Sequence, residues 1–437
     1  MVDYASEIWS NVPAARGKIA LSQEEDGQVG TIPEFIGLRR WGVVYRPLEF
    51  QQDIIEGVSA RLQEGAITGL IALPTGSGKT RTATWLCLRE MAKTAEPDDA
   101  MIWMAPQKEL VNQAAEAIQA AWWSGQGPDS LDIRIVRRSR DLDIGPRPTC
   151  LCLTPSMAKA VMRTIGNRRV RVAVFDEAHH AAAAVFSKIW LSLRRTTKPS
   201  LAIGLSATPS RRNPSEDPLL REAFDGVIFC SKSLGTQPVR SLIKRGVLSE
   251  PYFRLIPGVP RYARYRGPED PRALRELIVD PDRWQAIIRC VSETEKGQTV
   301  IYALNREHGR AITHHLRSIG VEAEYLDGET PTKLRVGILE RFRYRHTRVL
   351  VNVALLVEGV DCPAAEAAVL TYPVRHTTRL QQMVGRVLRG PAVGGTDRCR
   401  IWALEGSQQE LDDSLFATRY QYRGWRVETL SRRDPKS

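Results

Sequence analysis

Cysteine is sparse in this chain: seven residues in 437, at positions 87, 150, 152, 230, 290, 362 and 399. The odd count and irregular spacing exclude a disulfide framework. Cys150 and Cys152 are the one close pair, inside "TCLCLTP". No second pair completes a zinc ligand set, so both read as core residues of a buried strand. Long apolar runs are missing too: nothing approaches the ~18 residues of a membrane span. The opening "MVDYASEIWS" lacks a basic segment followed by an apolar run, so no secretion signal is expected there. No internal repeat appears at a period of about 20–50 residues, which excludes a solenoid or propeller. The expected setting is a reduced cytoplasm, with no membrane partner.

What is present is ordinary globular composition, 43% hydrophobic and 26% charged, long enough for two or three domains. The formal net charge is +12. From Gly246 onward there are 30 basic and 24 acidic residues, a net +6, which is half the total. A polyanionic partner would therefore meet two folded halves rather than one basic tail.

Short apolar runs that end at turn residues recur along the first half: 68–73, 100–106, 148–155, 171–180 and 200–209. Helical patterns lie between them, as at 80–95 and 108–123. The alternation predicts βα units and a parallel sheet covered on both faces. It restarts at 297–304, 321–328, 347–359 and 364–373, with a last strand in "RCRIWALE". The expected organisation is an N-terminal extension over 1–44, a first domain over 45–255 and a Pro/Gly/Arg-rich linker over 256–271. A second domain over 272–410 and a tail over 411–437 complete it.

"GLIALPTGSGKTRTATWL" sets a strand, a glycine-rich loop and a helix in succession. Thr75, Gly76, Ser77 and Gly78 would turn backbone N–H groups toward phosphates at the helix N-terminus. Lys79 would reach the β- and γ-phosphates and Thr80 would hold Mg²⁺. "VAVFDEAHH" then delivers Asp176 to the C-terminal edge of the sheet as a second Mg²⁺ holder. Glu177 is placed to polarise an attacking water.

With "SAT" at 206–208 and "QMVGRVLR" at 382–389, these motifs fall in the order of superfamily 2 helicases. Longer stretches, among them "LSATPSRR", "LIKRGVLSEPYF" and "VLVNVALLVEGVDCP", resemble the DEAH-type branch of RadD-like, XPB-like and type III restriction helicase modules. The resemblance covers roughly residues 45 to 405. It implies two tandem RecA-like α/β domains with ATP in the cleft between them. It assigns Gln51 to adenine, with Gln52 as the alternative, His179, Ser206 and Thr208 to coupling, and Gly359 and Asp361 to the ribose and γ-phosphate. Gln382, Arg386 and Arg389 would face the γ-phosphate, and their i, i+4, i+7 spacing puts them on one helical face.

A helicase resemblance also implies a nucleic-acid track, with Pro106, Gln107, Thr154, Pro155 and Asn305 as contacts. The arginine run "RFRYRHTR" (341–348) reads as a solvated helix end or as a strand-contacting patch. The chain lacks an XPB-type "RED" tripeptide, a RadD-type four-cysteine module and a nuclease motif, so cleavage would need another subunit. "QMVGRVLR" in place of the DEAD-box "HRIGR" favours DNA over RNA. The expected activity is an ATP-dependent DNA helicase or translocase in repair, recombination or defence against foreign DNA. The alternatives are a duplex-tracking restriction motor and an ATP-gated DNA clamp that recruits a partner.

Overall fold

The computed structural model describes residues 35–36, 46–207 (except 95, 143, 144 and 167), 217–256, 272, 275–276 and 280–353 (except 295 and 296). It also describes 365–403 (except 373, 375 and 376), 422 and 424–431. The chain divides into two compact units, one of residues 1–74, 78–235 and 419–437, the other of 75–77 and 236–418.

In the first unit the elements run β1 (Phe35–Ile36), α1 (Glu49–Leu62), β2 (Ile67–Ala72), α2 (Lys79–Ala92), β3 (Asp99–Met104) and α3 (Lys108–Trp123). They continue with β4 (Asp132–Val136), β5 (Thr149–Leu153), α4 (Pro155–Thr164), β6 (Arg169–Phe175), α5 (Ala184–Thr197), β7 (Leu201–Ser206), α6 (Asp217–Ala223) and β8 (Val227–Ser231). The second unit holds α7 (Pro238–Lys244), β9 (Glu250–Leu255), α8 (Pro281–Ser292), β10 (Gln298–Tyr302), α9 (Arg306–Ser318), β11 (Ala323–Leu326) and α10 (Thr332–Arg343). It ends with β12 (Val349–Asn352), β13 (Ala365–Leu370), α11 (Thr377–Val384) and β14 (Arg398–Ala403), before β15 (Arg426–Leu430) returns to the first.

The first sheet has the order β1-β4-β5-β3-β6-β7-β2-β8-β15, parallel throughout except for the β1–β4 pair. The second, β11-β12-β10-β13-β14-β9, is wholly parallel. Helices cover both faces, which is why β3 and β5 are buried at every position. Cys150 and Cys152 are completely buried on β5 with their Sγ atoms 3.8 Å apart, as core residues. Along α3 the buried residues Leu110, Val111, Ala114, Ala115, Ile118, Ala121 and Trp122 repeat at three and four, the stripe that seats it on the sheet. Trp122 closes that helix by donating to the carbonyl of Pro128 at 2.7 Å. On α5, Trp190 meets Phe175 edge-on at 5.7 Å and donates to the carbonyl of Ala223 at 2.9 Å. The strand that carries Asp176 is thereby packed against a fully buried indole.

Two of the expected domain limits are corrected. Residues 250–255 were assigned to the first domain, yet β9 pairs along its length with β14 of the second sheet. Residues 411–437 were expected to be a tail, yet β15 pairs with β8 in register from Arg426↔Val227 to Leu430↔Ser231. Trp425 joins the first core and Tyr422 packs against it. Both strands are sheet edges whose partners lie far away in sequence, so local periodicity carries no sign of them. The expected linker lies outside the described residues except for Ile256, which is buried in the second core.

Candidate nucleotide and nucleic-acid sites

Parallel strands put all their C-terminal ends on one edge of the first sheet, and the motif residues collect there. The glycine-rich loop follows β2, where Gly76 (φ 82) and Gly78 (φ 84) take the left-handed conformation that a side chain disfavours. Gly78 caps α2, so Lys79 and Thr80 open the helix and its free N–H groups. A Cβ on Gly78 would come within 2.9 Å of Gln51 Nε2. The amide of Gln51, nearly fully buried on α1, thus lies against the loop, with its Oε1 accepting from the N–H of Leu48 at 2.9 Å.

Asp176 follows β6, two strands from β2, a separation of about 10 Å between strand axes. Side chains close that gap: Thr80 Oγ1 donates to Asp176 Oδ2 across 3.5 Å. The other oxygen of Asp176 accepts from the N–H of Glu177 at 2.9 Å. Burial and the neighbouring Glu177 charge push the carboxyl up to about 7, against the downward pull of its bonds and of Lys79. Glu177 has φ 46, a left-handed backbone at a non-glycine residue. Such a conformation costs about 1–3 kcal/mol and concentrates at functional sites. Its carboxylate lies 3.3 Å from Nδ1 of the buried His179. Between the two strands, Ser206 ends β7 completely buried, and its carbonyl accepts from Leu73 at 3.4 Å. Thr208, Gly359 and Asp361 lie outside the described residues.

Pro106 and Gln107 follow β3, and Thr154 and Pro155 follow β5, so they share the same edge. They lie about 14 and 19 Å from the phosphate-loop strand, counted in strand spacings. Strands β6 and β7 lie between the two sets, with His179 in the turn after β6 and Ser206 at the end of β7. Gln107 and Thr154 are the N-cap residues of α3 and α4.

In the second unit, Asn305 caps α9, its side chain accepting from the N–H of His308 at 2.8 Å. The run 341–348 is largely engaged: Arg341 pairs with Glu324 (2.9 Å), Arg345 with Glu366 (3.2 Å), and Arg348 donates to the carbonyl of Val291 (2.6 Å).

Gln382 is buried on α11. Arg386 and Arg389 do not continue its face, which corrects the expected helical spacing. The helix ends at Val384, and the ladder tightens from Gly385 N→Gln381 O (2.8 Å) to Val387 N→Val384 O (3.0 Å), an i−3 turn. Val387 and Leu388 turn into the core and leave the two arginines half-buried. Sequence reasoning missed what holds this turn. Residues 246–249, ahead of β9, zip onto it: Gly390 N→Val247 O (3.0 Å), Ser249 N→Leu388 O (3.0 Å) and Ala392 N→Gly246 O (2.9 Å). The Ser249 hydroxyl lies against the carbonyls of Arg389 and Thr396. The stretch "LIKRGVLSEPYF" was a legible signal, though its apparent home was the first domain.

Residues 45–211 match the family model of the type III restriction enzyme res subunit, and residues 282–391 match that of the helicase conserved C-terminal domain. The chain belongs to the superfamily 2 helicases, on their type III restriction-like branch. Among its curated relatives, the putative ATP-dependent helicase IRC3 of Saccharomyces cerevisiae is 21% identical, covering 78% of this chain and 49% of that protein. The putative DNA 3'-5' helicase Rad25 of Haloarcula marismortui is 25% identical, over 83% of this chain and 53% of the relative. The chain thus spans about half the length of these relatives. Two solved structures share the tandem RecA-like fold. The Mycobacterium smegmatis helicase Lhr bound to ssDNA and AMP-PNP has a TM-score of 0.57 at 20% identity, over 88% of this chain and 49% of that one. S. cerevisiae Dbp5 bound to RNA and ADP BeF3 has 0.54 at 15%, over 83% and 85%. No helix among the described residues is long and apolar enough to cross a membrane.

Proposed function

We infer that this helicase-family chain hydrolyses ATP to move along or unwind DNA. The observation that carries the inference is the meeting of Lys79, Thr80, Asp176 and Glu177 at one sheet edge, under a loop with two left-handed glycines. Asp176 is buried beside the Thr80 hydroxyl, with its carboxyl raised to about 7 despite the charge of Lys79, and a divalent cation would add the positive charge that favours the carboxylate. The residues therefore fit Mg²⁺, held by Thr80 and Asp176; bound there with ATP, it would neutralise charge on the phosphate oxygens. Thr75, Gly76, Ser77 and Gly78 would bind the phosphates through backbone N–H groups, and Gln51 would meet the adenine. Gly359 and Asp361 are assigned to the ribose and γ-phosphate by the family pattern. Glu177 would orient the water and take up its proton, with His179 fixing that carboxylate. Gln382, Arg386 and Arg389 would bring positive charge to the γ-phosphoryl group as charge develops there. His179, Ser206 and Thr208 would pass the state of that site to the track contacts at Pro106, Gln107, Thr154, Pro155 and Asn305.

DNA is favoured over RNA by "QMVGRVLR" and by a relative named as a DNA helicase. Repair, recombination or defence against foreign DNA is the setting. The restriction-enzyme match also supports a duplex-tracking motor served by a separate nuclease or effector subunit. ATPase turnover measured with single-stranded DNA, duplex, forks and RNA tests the inference, with stimulation greatest for DNA. Stimulation by RNA alone would overturn the DNA assignment, and none by any nucleic acid would overturn the motor. Triplex displacement without strand separation would select the duplex tracker. If about 5 phosphates are neutralised, log affinity should fall with log salt at a slope of about −4 to −5 on duplex.

A further inference from the structure

Outside every motif, the edge of the second sheet carries a second concentration of arginine and aromatic groups. β9 is the edge strand, and its register with β14 pairs Glu250 with Arg398, Tyr252 with Arg400 and Arg254 with Trp402. Register partners point to the same face, so these side chains share one face two strands wide, exposed at Tyr252, Arg254 and Arg398 and closed at its far end by Trp402, which is buried in the second core. On the opposite face Cys399 and Ile401 are completely buried, whereas Tyr252 is 50% exposed. The Arg254 guanidinium lies 5.0 Å from the Tyr252 ring centroid and 6.0 Å from that of Trp402. A cation–π contact thus ties the Tyr252 ring to Arg254 at the edge. Arg400 is anchored by donating to the carbonyl of Glu293 at 2.7 Å. Arg398 is 79% exposed and shares only a long 3.7 Å contact with Glu250, itself 65% exposed. Among the described residues of β9 and β14 on this face, three guanidinium groups accompany one carboxylate, around an exposed ring.

We propose that Tyr252, Arg254, Arg398 and Arg400 form a second, sequence-independent contact for single-stranded nucleic acid, apart from the motif loops. It rests on the nucleic-acid partner inferred above and adds a site to it. The ring offers a stacking face that every base can use, and stacking on a protruding edge residue requires a base already free of its duplex neighbours. Arg398 and Arg400 are two residues apart on β14, about 6.6 Å along the strand, a reach suited to successive phosphates of an extended strand. An acidic peptide would satisfy the arginines but leave the ring without a use.

The test uses the full chain and fluorescein-labelled oligo-dT. Tyr252→Ala should weaken binding roughly 5- to 150-fold, while Tyr252→Phe, which keeps the ring, should not. Arg398→Gln should lower the salt slope by about 0.7, and Arg398→Gln with Arg400→Gln by about 1.4. An oligonucleotide carrying 5-iodo-deoxyuridine should crosslink to Tyr252, and basal ATPase without nucleic acid should be unchanged. Unaltered affinity and slope in variants that melt like the parent overturn the proposal while leaving the motor intact. So does a loss confined to polyglutamate binding, which would assign the patch to an acidic protein. A parent chain that binds no nucleic acid overturns both this surface and the motor.

Discussion

At the edge of the first sheet the charged groups are buried and held through their own side chains. Lys79 and Asp176 are both at least nine-tenths inaccessible, and Thr80 reaches across to the carboxylate. In the second unit Arg386 and Arg389 are half-buried on a backbone turn that residues 246–249 hold, with Tyr302 Oη donating to the carbonyl of Met383 at 2.9 Å. The first arrangement suits a ligand that stays bound through many conformations. The second fixes the backbone root of the two arginines, the placement that stabilising a developing charge requires. Binding and turnover should therefore separate by unit.

Lys79→Ala should break the contrast from the first side, abolishing turnover and weakening nucleotide binding, as read by ATPase assay and a fluorescent-nucleotide titration. Glu177→Gln should retain ATP and stop turnover; near-parental rates would remove that residue from its role. On the second side, Arg386→Ala and Arg389→Ala should slow turnover by about 10³–10⁵ while sparing ATP affinity. Parental rates in both would mean that the second unit supplies no charge to the reaction. A smaller effect sharpens the comparison. Ser249→Ala removes the hydroxyl at the Arg389 carbonyl and should lower turnover about 10-fold with ATP affinity unchanged, less than the ~10² that a 1 Å misplacement can cost. An unchanged rate would show that the zipped backbone alone suffices.

The smallest effect is on stability. Asp176 holds its proton to about pH 7 when folded, against an ordinary value of 3.8. Between those values the folded chain binds more protons than the unfolded one, so stability falls as pH rises through that window and levels above it. The metal-free protein should melt higher at pH 5 than at pH 8, and Asp176→Asn should reduce that difference. An Asp176→Asn profile that tracks the parent would locate the pH dependence elsewhere.

Most strands were legible because central parallel strands are continuously apolar: "AMIWMAP", "TCLCLTP" and "AVFDEAHH" announce themselves. β1, β4, β8, β9 and β15 were missed. "DIRIV" alternates with charge, and "EPYFRL" and "RVETL" are edge strands with one polar face and partners on distant parts of the chain. The candidate nucleotide-site residues stand out in the sequence because their motif is local, one strand and one loop at a time. The arginine turn was misread because i, i+4, i+7 spacing is compatible with a helix, and nothing local says that Gly385 ends one. Its brace at 246–249 is a tertiary fact, paired with residues about 140 positions on.

The return of β15 to β8 also bears on how the protein is made. Val227–Ser231 emerges from the ribosome with its outer edge unpaired, and Arg426–Leu430 follows about 200 residues later. At about 5–20 residues per second, that strand edge waits roughly 10–40 s for its partner. Throughout this interval the first sheet presents an unpaired edge next to the phosphate-loop strand, open to pairing with another nascent chain. Slow translation or premature termination after the second unit should thus appear first as aggregation of the half that was synthesised earliest.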